Sequence, residues 1–238
     1  MIVALLCWYD ESPNWLTTMV SALAKASVTH LIAVDGPYAL YPAAYEQPHS
    51  PIDQAEAIIA AAYGSGIALT LSQAGVHDSE VAKRDLTFRL AHQLCSDGDW
   101  LYIIDADEVI TSAPSDLQAR LDDNPYDLAQ PLLYERPDDT YEDLHNPTEP
   151  ATRNYPRVLL RWDPTLHVAE NHYTYRTSSL TLRGNPTEQQ PLADGLILHD
   201  LACLHRTKNR GAWRKQQQER YYERREQTGI EAPNAGRC

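Results

Sequence analysis

Apolar residues in the first 105 positions are grouped into four short runs. Runs of this length that are apolar throughout, and bounded by polar turns, are typical of strands that are buried on both faces. The first run, IVALLCW, shows no alternation between apolar and polar side chains. We therefore predict strands at 2–8, 29–35, 66–72 and 100–105.

The segments between these runs have helical spacing of apolar residues and signals for helix starts. Ser12-Pro13 and Ser50-Pro51 are each a capping residue followed by a proline, a pair that favours the first turn of a helix. Asp78 is a candidate cap for a third helix. We predict helices at 12–26, 51–62 and about 79–95.

Strands that alternate with helices of this length form βαβ units. They predict an α/β fold with a mostly parallel central sheet that is flanked by helices. Three of the four predicted strands end in acids, at 10–11, at Asp35 and at 105–108. Ligands of such sheets bind beyond the carboxyl ends of the strands, so we expect these acids to meet at one edge.

The pattern is less regular after residue 115. A short helix is predicted near 115–123, and strand-like pieces follow it, interrupted by a polar, proline-rich stretch at 136–150. The pieces lie at 126–135, 155–162, 171–177, 180–183 and 194–200. Because no internal repeat or clear linker divides the chain, we expect one domain that ends in a basic helix and tail at 206–238.

The charge of the chain is unevenly distributed. The 238 residues carry a net charge of −13, but residues 206–227 alone carry +5 and the remainder −18. An acidic body argues against a broad nucleic-acid surface and leaves room for one localised anion site. No apolar stretch approaches the roughly 20 residues that span a bilayer. The opening MIVALLCW is too short for a secretory signal, so we expect a cytoplasmic protein.

The stretch DWLYIIDADEVI at 99–110 is an apolar strand that runs into Asp105, Asp107 and Glu108. Like charges this close repel and are costly to desolvate, so a positive partner is expected. If the strand continues through this stretch, Asp105 and Asp107 lie on the same face of it. Two such carboxylates suit Mg²⁺ or Mn²⁺, since magnesium fills its octahedron with water and substrate phosphates. The alternative is a strand end with solvated acids and no ligand.

Several motifs occur here in a defined order: DE at 10–11 after the first strand, Asp35 after the second, and DADE at 105–108 after the fourth. The last motif closes the longer run EVAKRDLTFRLAHQLCSDGDWLYIIDADE at 80–108. In order and spacing they resemble the family 2 glycosyltransferases, which use nucleotide sugars and have the GT-A fold with a D-x-D motif. The resemblance is good over 1–115 and patchy beyond it.

The resemblance implies roles for single residues of the first half. Asp35 and Asp10 would lie around the base and ribose of the donor nucleotide. Asp105 would lie near the ribose or the metal, and Asp107 would bind the metal that bridges the diphosphate.

Lys83 and Arg84 resemble the Arg-containing segment that faces the donor in this family. The alternative for this pair is a solvated helix face. After Asp35 the chain continues DGPYALYP, where the family commonly has an acidic, Ser/Thr-rich turn. This departure leaves the choice between a UDP-sugar and a GDP-sugar open.

Candidates in the second half rest on shorter motifs. Glu170 and His172 resemble a His/Glu pair at the acceptor site, where either could act as general base; a polar turn before a strand is the alternative. In LILHD, His199 resembles the C-terminal histidine that is a third metal ligand in many GT-A enzymes. Neighbouring Asp200 and His205 carry less weight, and a structural histidine is the alternative.

Arg206 and Lys208 begin the basic run. Cations stabilise the charge that develops on a diphosphate leaving group, so both are candidates to lie over it. The resemblance thus implies one GT-A domain with a nucleotide-sugar half at 1–115, an acceptor-side half at 116–205, and the basic segment at 206–238.

The expected reaction is metal-dependent transfer of a sugar from a nucleotide-diphosphate sugar to an acceptor hydroxyl, with inversion. The acceptor is a glycan or a protein, with a modified nucleic acid or a lipid less favoured. A haloacid-dehalogenase-type phosphatase is a rival, because YIIDADEV matches its D-x-D-x-[TV] signature. A sugar nucleotidyltransferase is disfavoured, because CWYDESPNW lacks a Gly-rich basic loop. A non-catalytic nucleotide-sugar-binding module also remains open.

Overall fold

The computed structural model shows a mixed α/β fold built around one large sheet. The residues that it describes are 1–135, 152–154, 158–169, 174–178, 181–183, 194–205 and 212–228. Their first half consists of strands β1 Ile2–Cys7, β2 Val28–Val34, β3 Ala68–Ser72 and β4 Trp100–Asp105, and of helices α1 Pro13–Leu23, α2 Ile52–Gly64 and α3 Glu80–Ala91. A short 3₁₀ turn, Ala24–Ala26, follows α1. The predicted order of strands and helices is confirmed over this half.

The second half adds β5 Glu108–Ser112, α4 Leu117–Asp122, β6 Leu128–Glu135, β7 Thr152–Asn154, β8 Leu159–Arg161, β9 His167–Val168, β10 Thr174–Arg176, β11 Thr181–Arg183, β12 Leu196–His205 and α5 Ala212–Thr228. Four of these strands differ from the sequence prediction. No strand was expected at β5, β7 or β9, and β12 runs five residues beyond the predicted end at 200. This extension carries β12 alongside β5, opposite the acidic cluster.

The large sheet has the strand order β3-β2-β1-β4-β8-β6-β12-β5, with β7 paired to β6. Six of its nine strands point the same way, and β5, β7 and β8 oppose them. The mostly parallel sheet flanked by helices is therefore confirmed. A separate antiparallel sheet of described residues has the order β11-β10-β9.

Both faces of β1 are buried, as its unbroken apolar sequence indicates. Leu5 packs with Phe88 of α3 on one face. Leu6 packs with Leu16 and Met19 of α1 on the other. Alternation of side chains between the two faces means that both helices need apolar partners from the same strand.

The strands β1, β2 and β4 end at the same level. Cys7, the last residue of β1, is paired with Val34 of β2 and with Asp105 of β4. The segments after these three strands therefore start side by side, and Asp10, Asp35 and the 105–108 cluster follow them at one sheet edge.

Helix starts differ in detail from the sequence prediction. Ser79, not Asp78, caps α3, because its Oγ accepts the Ala82 amide at 3.1 Å. Helix α2 begins at Ile52 with Pro51 in the cap position. Ser50 therefore does not cap α2, and its side chain bonds elsewhere, as described below.

The loops after β2 and β3 contact each other through glycine. Gly36 has a φ of +114°, and a Cβ at this position would overlap the carbonyl oxygen of Gly75. Gly98 has a φ of +90° with open space around it. We expect Gly36→Ala to lower the free energy of unfolding by at least about 2 kcal/mol more than Gly98→Ala, since both place a side chain at a positive φ but only Gly36→Ala also creates a clash. Denaturant unfolding measures both; equal losses would contradict the close approach.

Candidate functional site

Acidic residues at the carboxyl ends of β1, β2 and β4 differ strongly in exposure. The Asp105 side chain is 37% exposed, and Asp10 is half-buried. Asp35 is fully buried, and Asp107 is 2% exposed. Charged groups are rarely buried without partners, so the partner of each acid decides its role.

Asp105 is paired with Arg84, which lies in the first half of α3. One terminal nitrogen of Arg84 donates to Asp105 Oδ1. The Arg84 side chain is 5% exposed, so the alternative of a solvated helix face is wrong for this residue. Its Nε and other terminal nitrogen are buried and make no hydrogen bond with the residues that the structure describes. Arg84 therefore offsets one negative charge of the acidic cluster that Asp105, Asp107 and Glu108 form.

Lys83 is also buried, at 2% exposure, and the solvated-face alternative is wrong here too. Its Nζ donates to the carbonyl oxygens of Trp8 and Gly36, each at 2.6 Å. It also lies 5.6 Å from the centre of the Tyr38 ring. Lys83 thus joins the segments that follow β1 and β2. Lys83 therefore lies inside the fold, and not on a surface that a nucleotide-sugar donor could contact.

Asp107 faces His205, the last residue of β12. Asp107 Oδ2 and His205 Nε2 are 3.2 Å apart, and the two side chains are 2% and 15% exposed. The pairing follows from strand register, because His205 lies opposite Glu108 on β5. A carboxylate and an imidazole are thereby brought together at the D-x-D motif.

His199 is not brought to this cluster, which corrects the sequence prediction of His199 as the third ligand. On β12, Ala202 pairs with Ser112, the far end of β5. His199 therefore lies beyond the end of β5 that is remote from Glu108, and its side chain is exposed. The histidine that reaches Asp107 is His205, because β12 continues to the sheet edge.

Glu108 closes the turn of the D-x-D motif. Its Oε2 accepts the backbone amide of Asp105 at 3.1 Å. Burial, reinforced by Asp105, raises the pKa of Glu108 to about 8, with His205 opposing the shift. The cluster is thus too crowded for every carboxylate to be ionised at neutral pH without additional positive charge.

Asp35 is bonded to Ser50 at the start of α2. The Ser50 amide and Oγ donate to the two oxygens of Asp35, at 2.9 and 2.6 Å. Ser50 Oγ in turn accepts the backbone amide of Asp10 at 3.0 Å. His77 Nε2 contacts the carbonyl oxygen of Asp35 at 2.8 Å. The structure places Asp35 in a buried network rather than on an accessible wall.

Aromatic side chains pack beside this network. Tyr41 lies edge-on to Tyr9, with ring centres 5.6 Å apart, and Tyr221 of α5 lies 5.9 Å from Tyr41 and 5.3 Å from Tyr38. Tyr221 is 5% exposed, whereas Tyr222 is 44% exposed. Helix α5 thus packs through Tyr221 against the loop that follows β2, next to the acid-bearing edge.

The described residues contain no group of three or more His, Cys, Asp or Glu side chains arranged to hold a metal ion. The predicted site residues Glu170, His172, Arg206 and Lys208 lie outside the described residues. Among the helices of the described part, none has both the length and the apolar character needed to cross a membrane.

Three residues of the site were missed or underweighted in the sequence. In the sequence Ser50 resembles a helix cap, and no neighbouring residue indicates that its side chain forms a hydrogen bond with Asp35. Tyr41 lies in an irregular loop with no periodicity to interpret. His205 was recognisable as a candidate from its apolar strand context, but choosing it over His199 requires the end of β12.

No family model and no curated protein matches this chain. Among solved structures, a candidate glucose-1-phosphate thymidylyltransferase from Bacillus anthracis, in complex with sucrose, is similar over 83% of this chain and 86% of its own. The identity is 9% and the TM-score 0.35. A likeness this weak carries no argument about function, which has to be argued from the site.

Proposed function

We propose that this chain is a metal-dependent glycosyltransferase of the GT-A type. It moves a sugar from a UDP- or GDP-sugar to the hydroxyl of an acceptor. The acceptor is a glycan or a protein, with a nucleic acid or a lipid less favoured. The observation that carries the proposal is the pairing of Asp107 with His205 at the edge where β1, β2 and β4 end. Nucleotide ligands of parallel sheets bind at this edge.

The donor set at this edge fits a small divalent cation. Adjacent ligands of an octahedral ion with bonds of 2.0–2.1 Å lie about 3 Å apart, and Asp107 Oδ2 and His205 Nε2 are 3.2 Å apart. Magnesium takes few protein ligands and leaves its remaining positions to phosphates and water. A pair of ligands, rather than a closed cage, is therefore what a nucleotide-diphosphate site needs.

In this proposal Asp107 and His205 hold Mn²⁺ or Mg²⁺. The cation supplies positive charge that offsets the charge developing on the departing nucleoside diphosphate. Arg84 holds Asp105 in place through its ion pair, and the Asp105 side chain, which is 37% exposed, is proposed to lie near the ribose. Arg206 and Lys208 are proposed to contact the diphosphate.

Glu170 or His172 is proposed as the general base that takes the acceptor proton. The sugar then passes to the acceptor in a single displacement with inversion. We propose one catalytic domain. Residues that bind the nucleotide sugar lie in 1–115, residues that bind the acceptor lie in 116–205, and the basic segment 206–238 contributes the contacts to the diphosphate.

Two histidine variants test the proposed site. We expect Mn²⁺ with UDP or GDP to raise the melting temperature of the wild type. His205→Ala should weaken calorimetric binding of that Mn²⁺–nucleotide pair by at least about tenfold, as loss of a metal ligand does. His199→Ala, on the same strand but exposed, is the matched control and should bind like the wild type.

The result that contradicts the proposal is a wild type that no Mn²⁺–nucleotide pair stabilises. Equal losses in the two histidine variants would contradict the assignment of His205. Tight binding of the pair without sugar transfer or hydrolysis for any donor sugar would instead indicate the non-catalytic binding module.

A further inference from the structure

The Asp35 carboxylate is enclosed on all sides. It is fully buried, and both of its oxygens accept hydrogen bonds from Ser50. A carboxylate that reads a nucleotide base has to present a free edge to that base. Asp35 presents its oxygens to Ser50 instead, so its function lies in what Ser50 holds.

Ser50 holds the backbone of Asp10. The Ser50 hydroxyl donates to Asp35 and accepts the Asp10 amide, so it joins the end of β2 to the loop after β1. The rest of that loop is held by the segment before α2 and by the first turn of α2. The Tyr9 hydroxyl donates to the Gln47 carbonyl at 2.8 Å, and the Glu11 amide donates to Gln54 Oε1 at 3.0 Å.

Asp10 has a backbone conformation that needs such support. Its φ is +52°, in the left-handed region. Side-chain-bearing residues are uncommon in this region, although Asp and Asn adopt it more readily than most, and such residues are concentrated at functional sites. Asp10 is half-buried, unlike Asp35. Of the two acids, Asp10 is the one that a ligand at this edge can reach.

We infer that Asp35 is a positioning residue that acts through Ser50 to hold Asp10 in its left-handed conformation, and that the Asp10 carboxylate is the group that accepts hydrogen bonds from the hydroxyl and N–H donors of the donor nucleoside. The ligand in this inference rests on the proposed function. The hydrogen bonds that join Asp35, Ser50 and Asp10, which we call the clamp, do not rest on the proposed function, because they are present in the protein without a ligand.

The inference makes a distinctive prediction about base preference. A carboxylate that contacts a base distinguishes bases by their N–H pattern, so its loss changes the order of affinities. A positioning residue that acts only through Asp10 reproduces the pattern of affinities that loss of the Asp10 carboxylate itself gives. It also shares its effect with the residue through which it acts, so the double variant is no worse than either single one.

The experiment measures binding of Mn²⁺ with UDP, GDP and CDP by calorimetry in the full chain. We expect Asp35→Asn and Ser50→Ala each to weaken nucleotide binding about tenfold, with the same pattern across the three nucleotides as Asp10→Asn, and the double variant to match them. Ser50→Thr keeps the hydroxyl and should bind like the wild type. Asp10→Asn tolerates the left-handed region and should weaken binding at least as much.

Amide hydrogen exchange at Asp10 tests the clamp without a ligand. Exchange should be faster in Asp35→Asn and Ser50→Ala, and unchanged in Asp10→Asn. A nucleotide preference in Asp35→Asn that differs from that of Asp10→Asn, or multiplicative effects in the double variant, would overturn the inference while leaving the proposed function intact. A wild type that binds no nucleotide contradicts the proposed function and the ligand role of Asp10; the clamp is then overturned if Asp10 exchange is unchanged in Ser50→Ala.

Discussion

Asp107→Asn is expected to abolish metal-dependent turnover, with kcat/KM for the donor lowered about a thousandfold or more. Asparagine keeps the shape of the side chain but removes the negative charge that binds the cation. A thousandfold loss corresponds to about 4 kcal/mol of transition-state stabilisation, which is in the range that metal and electrostatic contacts supply. Initial rates with the donor that stabilises the wild type measure the effect.

Stability should respond differently from activity in this variant. The carboxylates of Asp105, Asp107 and Glu108 crowd one turn, and removing one charge relieves repulsion. The melting temperature of Asp107→Asn in EDTA should therefore equal or exceed that of the wild type, while its increase on adding Mn²⁺ and nucleotide is lost. Asp123→Asn, at an exposed position after α4, is the control. Full activity in Asp107→Asn would rule out the proposed metal ligand.

Arg84→Met is expected to have the largest effect on stability. It removes a buried guanidinium and leaves Asp105 beside two other acids with no ion partner from α3. Breaking a fully buried pair costs about 3–5 kcal/mol. Because Asp105 is 37% exposed, water screens part of this, and we expect a loss of roughly 2 kcal/mol or more in the free energy of unfolding.

Two comparisons separate the ion pair from the helix itself. Arg89→Met removes a surface pair with Asp85, at 3.2 Å and with Arg89 65% exposed, and should cost less than about 1 kcal/mol. Adding Asp105→Asn to Arg84→Met should restore much of the lost stability, since the unpaired charge is then gone. If urea unfolding shows equal losses for the Arg84 and Arg89 variants, Arg84 does not offset the acidic cluster.

Local patterns predicted the first half of the fold well. The four apolar runs became β1 to β4, and the spacing between them became α1 to α3. Each depends on burial of neighbouring residues along the chain, which hydrophobic periodicity records directly. The convergence of acids at one edge also followed, since parallel strands joined by helices bring their carboxyl ends together.

Partners of individual side chains were harder to predict. The sequence near Arg84 is compatible with a solvated helix face, yet its side chain is buried against Asp105. Ser50 precedes a proline and reads as a cap, yet it bonds Asp35 and Asp10. These three contacts join residues 15 to 40 positions apart, so they depend on how the elements pack rather than on any local preference.

The sequence by itself determined the alternating architecture, the sheet edge where the acids meet and the D-x-D turn, because each is encoded in short stretches of contiguous residues. Tertiary structure alone decided that His205 rather than His199 faces Asp107, and that Asp35 is enclosed while Asp10 stays accessible. The physical reason is register: whether β12 ends beside β5, and whether α2 starts beside β1, depends on packing between distant elements, which no local pattern of residues reports.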